Sequence, residues 1–475
     1  MILASARALS RTLPLVLVSA MDIGVPFIRM LALSHVLGLT QLGLASLLAA
    51  AVATYEQVTE IAVYRYVLSS PREVFQDALA AAHALAVTRG LIVAGVALAL
   101  AYPMALIFNS GEDWGSFAML GLIIFIRPFE HLEPRIAERD YNYAIQLKVA
   151  LIAYSLSLSA LAVSLMIAPS HVAIIASLLG QAIGQVVGSH WLSKEPYRLR
   201  FRSPEYIKAF KFGYPLIAGG IGVAVSGQAD RFLVGGMLGL SALAVYSVLL
   251  LAALVPITMV QRILNTVTVA MLINAGEKSA LLARMKLAGR IAPLVAGAYA
   301  VGVATLLNIV VPIVFGPKFV ASRWMVALLA MSVFIRIVRF EPGNSILLYR
   351  GKTKRLALTN LVALSSVVLA YFFIRIWGNT EAAVLGRMGS DFLALLAMLY
   401  VTQEAYGEAF SDAVGSLIAV ASVVALVCLS VLETRVGAAP GASLAVLAGF
   451  FLICGAWVAT FARRLLREGA FSALR

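Results

Sequence analysis

Two arginines, Arg336 and Arg339, stand three residues apart inside an apolar segment of the chain. Positions i and i+3 of a helix share a face, so these cationic side chains lie one above the other. Glu341 points about 200° round from Arg339, at about 100° per residue, and we do not expect it to neutralise the pair. Because a planar guanidinium group suits bidentate contact with phosphate oxygens, the spacing indicates a site for an anion.

Other ionisable residues also interrupt apolar segments, where a charge is costly and usually faces a cavity or a partner. Arg127 and Glu130, at i and i+3, have the spacing of a neutralising pair, as do Arg387 and Asp391 at i and i+4. The remaining residues are Asp22, Arg29, Glu56, Glu60, Glu133, Asp230, Arg231 and Arg262. An alternative for Arg336 and Arg339 is that they pair with acids on the first, second or seventh predicted helix and only hold the helices together.

The composition shows what kind of element carries these charges. Of 475 residues, 61% are hydrophobic and 13% are charged, and the mean hydropathy is +0.94. Soluble chains are about half apolar and about a quarter charged, so most soluble enzyme classes are excluded. Two cysteines in apolar runs and five scattered histidines have no metal-ligand spacing. We therefore expect no disulfide, no metal site and no cofactor.

The apolar runs predict an all-α polytopic membrane protein with about fourteen transmembrane helices. A bilayer core about 30 Å thick needs roughly 20 helical residues per crossing. The predicted spans are 10–33, 39–66, 81–108, 114–134, 144–167, 171–191, 207–232, 238–271, 288–314, 322–346, 355–377, 381–403, 413–432 and 442–462. The alternating ten-residue pattern of a membrane β-barrel is not seen.

The net charge of +14 lies mainly in every second connection. Basic residues concentrate at the N-terminus, in 67–80, 135–148, 192–211, 272–290 and 350–355, and at the C-terminus. The connections between them, such as "NSGED" and "APSH", contain no Lys or Arg. Because basic loops stay in the cytoplasm, both termini should face the cytoplasm. The basic loops indicate the topology of the chain and contact with lipid. A nucleic-acid partner is not indicated, because the sequence shows no soluble domain with aromatic residues interleaved among the basic ones.

Two sequence patterns recur about 201 and 209 residues apart. Leu37-Gly38-Leu39-Thr40 matches Leu238-Gly239-Leu240-Ser241, and "FIRPFEHLEP" (125–134) matches "FIRIVRFEP" (334–342). The spacing predicts a six-helix lobe over 1–191, a basic cytoplasmic linker over 192–211 and a second six-helix lobe over 212–405. Two further helices follow in 406–475. Lobes of even helix number are related by a pseudo-two-fold axis along the membrane normal, with a substrate site between them.

The segment "QADRFLVGGMLGLSALAVYSVLLLAALVPI" (228–257) and the later "FGPKFVAS" (315–322) resemble the Wzx-type lipid-linked oligosaccharide flippases. These polysaccharide exporters share the MOP superfamily with the MATE multidrug exporters and the lipid II flippases. The resemblance covers roughly residues 10–405, and its motifs are specific for the superfamily more than for a substrate.

This resemblance implies an alternating-access exporter, not an enzyme, in the bacterial cytoplasmic membrane. Its substrate would be an undecaprenyl-diphosphate-linked oligosaccharide, and other polysaccharide-assembly proteins are candidate partners. The residues that match a cationic, diphosphate-binding cavity are Arg336, Arg339, Arg127, Arg29 and Arg231. Asp22, by analogy with the MATE relatives, and with it Glu56 and Asp230, are candidates for ion coupling.

Three other functions stay open from the sequence. A MATE-type exporter of cationic drugs would need an acid-lined cavity, whereas this chain places arginines in the membrane. A membrane-embedded polysaccharide polymerase or ligase would need a sizeable outer loop, and every predicted outer loop has about ten residues or fewer. A scaffold subunit of an envelope assembly would not depend on Arg336.

Overall fold

A computed structural model describes residues 2–58, 63–140, 142–273 and 278–433. Every regular element in these ranges is helical. The helices are α1 (Ile2–Val36), α2 (Leu39–Val58), α3 (Val63–Ser69), α4 (Phe75–Ile107), α5 (Trp114–Ile126), α6 (Glu133–Ile136), α7 (Ala144–Ile167), α8 (Val172–Leu192), α9 (Pro204–Leu238), α10 (Leu240–Ile273), α11 (Lys278–Phe315), α12 (Arg323–Phe340), α13 (Gly343–Tyr349), α14 (Thr353–Val362), α15 (Ser365–Trp377), α16 (Thr380–Tyr406) and α17 (Phe410–Glu433).

Nine helical stretches in the described ranges are long and apolar enough to cross a membrane, and a bent pair, Gly111–Phe129 with Glu133–Arg139, makes a tenth. The prediction of an all-α, multi-pass membrane protein is confirmed. One of the nine, Thr380–Leu432, spans two of the predicted crossings. The α9 and α12 helices, 35 and 18 residues long, have the length of further crossings but carry more charge. The last predicted span, 442–462, lies outside the described residues.

The chain forms two compact units, an N-terminal unit of Met1–Ser247 and a C-terminal unit of Val248–Arg475. The N-terminal unit therefore includes α9 and the start of α10, which follow the segment predicted to link two lobes. The division at 192–211 and the pseudo-two-fold relation between lobes stay predictions.

The segment 192–211 packs closely within the N-terminal unit. Glu133 accepts hydrogen bonds from the backbone N–H groups of Lys194 and Glu195, at 2.9 and 2.8 Å. Tyr197 stacks against His83 and His190, with ring centroids 4.4 and 4.7 Å apart, and burial raises the pKa of Tyr197 to about 12. The segment is thus held against α4, α6 and α8 before α9 begins at Pro204.

The two copies of the Leu-Gly-Leu-Thr/Ser motif meet in the N-terminal unit. The hydroxyl groups of Thr40 and Ser241, which are equivalent positions of the repeat, are 3.0 Å apart. A Cβ atom on Gly43 would lie 1.8 Å from the carbonyl oxygen of Leu240. Glycine at this position therefore allows the start of α10 to approach α2 closely.

Both copies of the second repeated motif interrupt a helix. The sequence predicts continuous helices over 114–134 and 322–346, and this is wrong. In the first copy Glu130 takes an extended backbone (φ −54°, ψ 134°) between α5 and α6. In the second copy Glu341 is extended (φ −124°, ψ 139°) between α12 and α13. In the second copy Pro342 disfavours a helical conformation for Glu341, the residue before it. In the first copy Pro134 lacks the N–H donor that a continuous helix would direct to the carbonyl of Glu130.

Small residues on α8 allow it to pack against α7. Gly180, Gly184 and Gly188 recur every four residues along one face of α8. A Cβ on Gly184 would lie 2.7 Å from the Cα of Ala153, and one on Gly180 would lie 2.9 Å from the carbonyl oxygen of Leu156. In membranes this small-xxx-small pattern drives association, because backbones that approach closely gain van der Waals contact.

We expect Gly184→Ala to destabilise the protein by about 1–3 kcal/mol, the usual cost of overpacking a tight contact. The measurement is unfolding of the purified protein in detergent. Gly95→Ala on α4 is the matched control, because a Cβ at Gly95 meets no atom within 4 Å. Equal stability of the two variants would show that the α7–α8 contact is looser than described.

Candidate functional site

The arginines of α12 face a carboxylate on α16 within the C-terminal unit. Arg339 donates a short hydrogen bond from Nη1 to Oδ1 of Asp391, and both side chains are 5% exposed. Nη1 of Arg336 lies 3.7 Å from Oδ2 of the same carboxylate, and its side chain is 25% exposed. The face predicted from the i, i+3 spacing therefore exists, with Asp391 as the shared counter-ion.

Two cations share this carboxylate. One carboxylate faces two guanidinium groups, and Arg387, also buried, lies one helical turn before Asp391 on α16. The spacing predicts that Asp391 has Arg387 as its partner, and the structure shows ion pairs of Asp391 with Arg336 and Arg339 on α12. The acid with which both arginines pair lies on α16, and not on the first, second or seventh predicted helix.

Arg29 forms a second site, in the N-terminal unit. It is buried, and its Nη2 donates to Ser157 Oγ on α7 at 2.6 Å and to Gln181 Oε1 on α8 at 2.5 Å. Its Nε has no hydrogen-bond partner in the described ranges. The groups that hydrogen-bond this buried cation are thus uncharged, and its Nε–H donor has no acceptor in the described ranges.

Arg127 lies near Arg29 but has its own carboxylate. Arg127, which follows α5, donates a short hydrogen bond from Nη1 to Oε1 of Glu56 on α2. Tyr154 on α7 donates to Asp22 Oδ1 on α1 at 2.5 Å. Tyr154 interacts electrostatically with Arg29 and Arg127, and Arg29 with Glu56. The structure therefore brings together four residues that the sequence singled out: Asp22, Arg29, Glu56 and Arg127.

The predicted pairing of Arg127 with Glu130 is wrong. Glu130 instead accepts two hydrogen bonds from Arg135, Nε to Oε1 at 2.9 Å and Nη2 to Oε2 at 3.0 Å. Because the chain leaves the helical conformation after Phe129, positions 127 and 130 no longer share a helical face. The break turns Glu130 away from Arg127.

Asp230 and Arg231 have local partners around α9. Asp230 is buried and accepts a hydrogen bond from the hydroxyl of Tyr246 on α10 at 2.6 Å. Arg231 donates to Gln228 one turn earlier on the same helix.

Sequence reasoning missed the uncharged members of these sites. Ser157, Gln181 and Tyr154 hold the charged residues of the N-terminal unit, yet they lie in apolar helices and change the hydropathy little. The signal that could have identified them is their polarity in segments that otherwise face lipid or protein. The sequence identifies Asp391 as a charged residue of the membrane segment but does not indicate Arg339 as its partner.

Residues 32–323, more than half of the chain, match a family described as polysaccharide biosynthesis protein. The chain belongs to this family. Among curated proteins no significant match to this family member is found.

The fold of this chain resembles the folds of a lipid II flippase and of a multidrug transporter. A structure of the lipid II flippase MurJ in an inward closed conformation superposes with a TM-score of 0.68 at 13% identity, over 95% of this chain and 100% of that one. An inward-facing multidrug resistance MATE family transporter superposes with a TM-score of 0.58, also at 13% identity, over 79% of this chain and 94% of that one. At such identities the likeness concerns the fold.

We expect Asp391→Asn to destabilise the polysaccharide biosynthesis protein by about 3–5 kcal/mol, the cost of leaving a buried charge without its partner. The measurement is thermal or chemical unfolding in detergent. Asp412→Asn is the matched control. Asp412 also faces two cations, Lys286 at 3.3 Å and Arg290 at 3.5 Å, but the side chains are 28–38% exposed, so we expect a loss of about 1 kcal/mol or less. Equal losses would contradict the burial argument.

Proposed function

We propose that this protein is a lipid-linked oligosaccharide flippase that moves an undecaprenyl-diphosphate-linked glycan across the bacterial cytoplasmic membrane by alternating access. The observation that carries the proposal is the cluster of Arg336 and Arg339 around the single carboxylate of Asp391. Membership of a polysaccharide biosynthesis family and a flippase-like fold support it.

The chemistry of a diphosphate suits this cluster. Buried cations attract an anion, and guanidinium forks bind phosphate oxygens with two parallel hydrogen bonds. Arg339 and Asp391 are both enclosed, so their ion pair fixes the geometry of the cluster. Arg336 is more exposed and lies farther from the carboxylate. In the proposal Arg336 makes the first contact with the diphosphate and Arg339 the second.

The N-terminal unit supplies a second set of contacts in the proposal. Arg29 has uncharged hydrogen-bond partners and an unused Nε donor, which a phosphate oxygen would satisfy. In the proposal Arg127 releases the carboxylate of Glu56 and binds the diphosphate in its place. Arg231 is the remaining cationic candidate for substrate binding. Asp22, Glu56 and Asp230 stay candidates for ion coupling, and each currently accepts a hydrogen bond from a tyrosine or an arginine.

The alternatives fit less well with the described residues. A cation exporter would need an acid-lined cavity, whereas the carboxylates that contact Arg339 and Arg127, those of Asp391 and Glu56, are paired with arginine. A polymerase or ligase would need a large outer domain, and the connections opposite the basic loops, at 37–38, 108–113, 168–171 and 316–322, are short. The proposal places the basic loops and both termini in the cytoplasm.

We expect Arg336→Ala to abolish surface glycan at normal protein levels, because it removes a phosphate contact. Arg339→Ala should also abolish it, but at a lower protein level, because it breaks the buried ion pair with Asp391. Arg336→Lys should retain part of the activity, since lysine keeps the charge but not the bidentate geometry. The measurement is glycan display in cells that carry the variant as their only copy. Arg323→Ala, at the other end of α12, is the matched control. Normal display in both alanine variants would contradict the substrate site and favour a scaffold role.

We expect no efflux of cationic dyes from cells that overproduce the protein, because the clusters are cationic. The measurement is dye accumulation with and without the protein. Dye efflux that Asp391→Asn or Glu56→Gln abolishes would contradict the proposal and indicate a MATE-type exporter instead.

A further inference from the structure

Glu341 is a buried carboxylate that the flippase proposal does not use. It lies between α12 and α13 and is 3% exposed. Its Oε1 accepts a hydrogen bond from Asn265 Nδ2 on α10 at 2.9 Å, and its Oε2 accepts one from Ser345 Oγ on α13 at 2.6 Å. Asn265 Nδ2 also donates to Ser345 Oγ at 2.9 Å. Both oxygens are therefore held by uncharged donors.

No cationic side chain of the described residues contacts Glu341. On its own helix Arg336 and Arg339 are directed to Asp391 of α16. Arg262 of α10 is exposed. On α11, Lys286 and Arg290 pair with Asp412 of α17.

A small cavity adjoins the carboxylate. Its volume is about 30 Å³, and its lining includes Glu341, Tyr406, Thr402, Met398 and Gly289. Glu341 and Tyr406 are the titratable side chains of this lining. A space of this size holds one water molecule, and the polar atoms of Glu341, Tyr406 and Thr402 would bind it. A water there would connect the carboxylate to a proton donor.

Glu130 shows how the same chain supplies a buried carboxylate with an opposite charge. It too is buried, but Arg135 binds both of its oxygens. Glu341 has no such partner, and a buried charge without an opposite charge is strongly disfavoured. A proton removes the charge and leaves the side chain in the same place.

We propose that Glu341 is a proton-binding site. One proton adds to a carboxylate oxygen, the carboxylate becomes a neutral carboxylic acid, and the new O–H donates to Ser345 Oγ or to the water of the cavity. Asn265 continues to donate to the other oxygen. A proton fits better than a metal cation, because the amide NH₂ of Asn265 directs a hydrogen, not a lone pair, toward the carboxylate.

The test is infrared spectroscopy of the purified full-length protein in lipid nanodiscs, which detects the carbonyl stretch of a protonated carboxylic acid. We expect this band near neutral pH in the wild type and in Glu130→Gln, and we expect Glu341→Gln to remove it. A band that is absent from the wild type, or that persists unchanged in Glu341→Gln, would overturn the proposal. The measurement does not depend on the substrate, so it stands apart from the flippase proposal.

Two further measurements separate the remaining possibilities. Ser345→Ala removes the hydroxyl at Oε2 and should shift the frequency of the same band, which keeps the proposal testable if Glu341→Gln does not fold. A frequency that stays the same would overturn the assignment. Replacing choline chloride with NaCl at constant pH should leave the band unchanged. Loss of the band in NaCl would overturn the proposal and indicate that Glu341 binds a sodium ion and not a proton.

Discussion

The cost of enclosing a charge among apolar helices governs most of the polar structure of this protein. A buried ion must be paired or hydrogen-bonded, because neither lipid nor packed side chains replace its water. The enclosed charges meet this requirement with different partners. Arg339 and Asp391 form an ion pair, Glu130 binds the guanidinium of Arg135, and Arg29 relies on a serine and a glutamine. How completely a buried charge is paired or hydrogen-bonded decides whether it is structural or remains able to bind a substrate or a proton.

Helix packing determines which partner side chains reach each buried charge. Glycines on α8 allow close approach to α7, and this brings Ser157 and Gln181 together on Arg29. The breaks at Glu130 and Glu341 act in the opposite way, because they remove side chains from the helical register of their neighbours. Glu130 thereby reaches Arg135, five residues later. Backbone approach and helix interruption thus do as much as charge type to define the sites.

The helices themselves could be predicted from sequence because hydropathy is a local property. For example, the predicted span 144–167 coincides with α7. The ion pairs could not be predicted, since spacing within one helix says nothing about its neighbours. The i, i+4 spacing relates Asp391 to Arg387, and it could not show that the packing of α12 on α16 brings Arg339 to Asp391. Arg127 finds Glu56, 71 residues away. Uncharged partners such as Gln181 left almost no signal in an apolar background.

The two copies of the Phe-Ile-Arg motif show how a duplicated sequence can acquire separate roles. Both copies end in Glu-Pro next to a helix break. Glu133 in the first copy accepts from the backbone N–H groups of Lys194 and Glu195 and so fixes the basic segment. Glu341 in the second copy is enclosed by Asn265 and Ser345. The arginines diverge as well, because Arg127 has a carboxylate to itself while Arg336 shares one with Arg339. The same motif therefore forms a one-to-one ion pair in its first copy and a shared ion pair in its second copy.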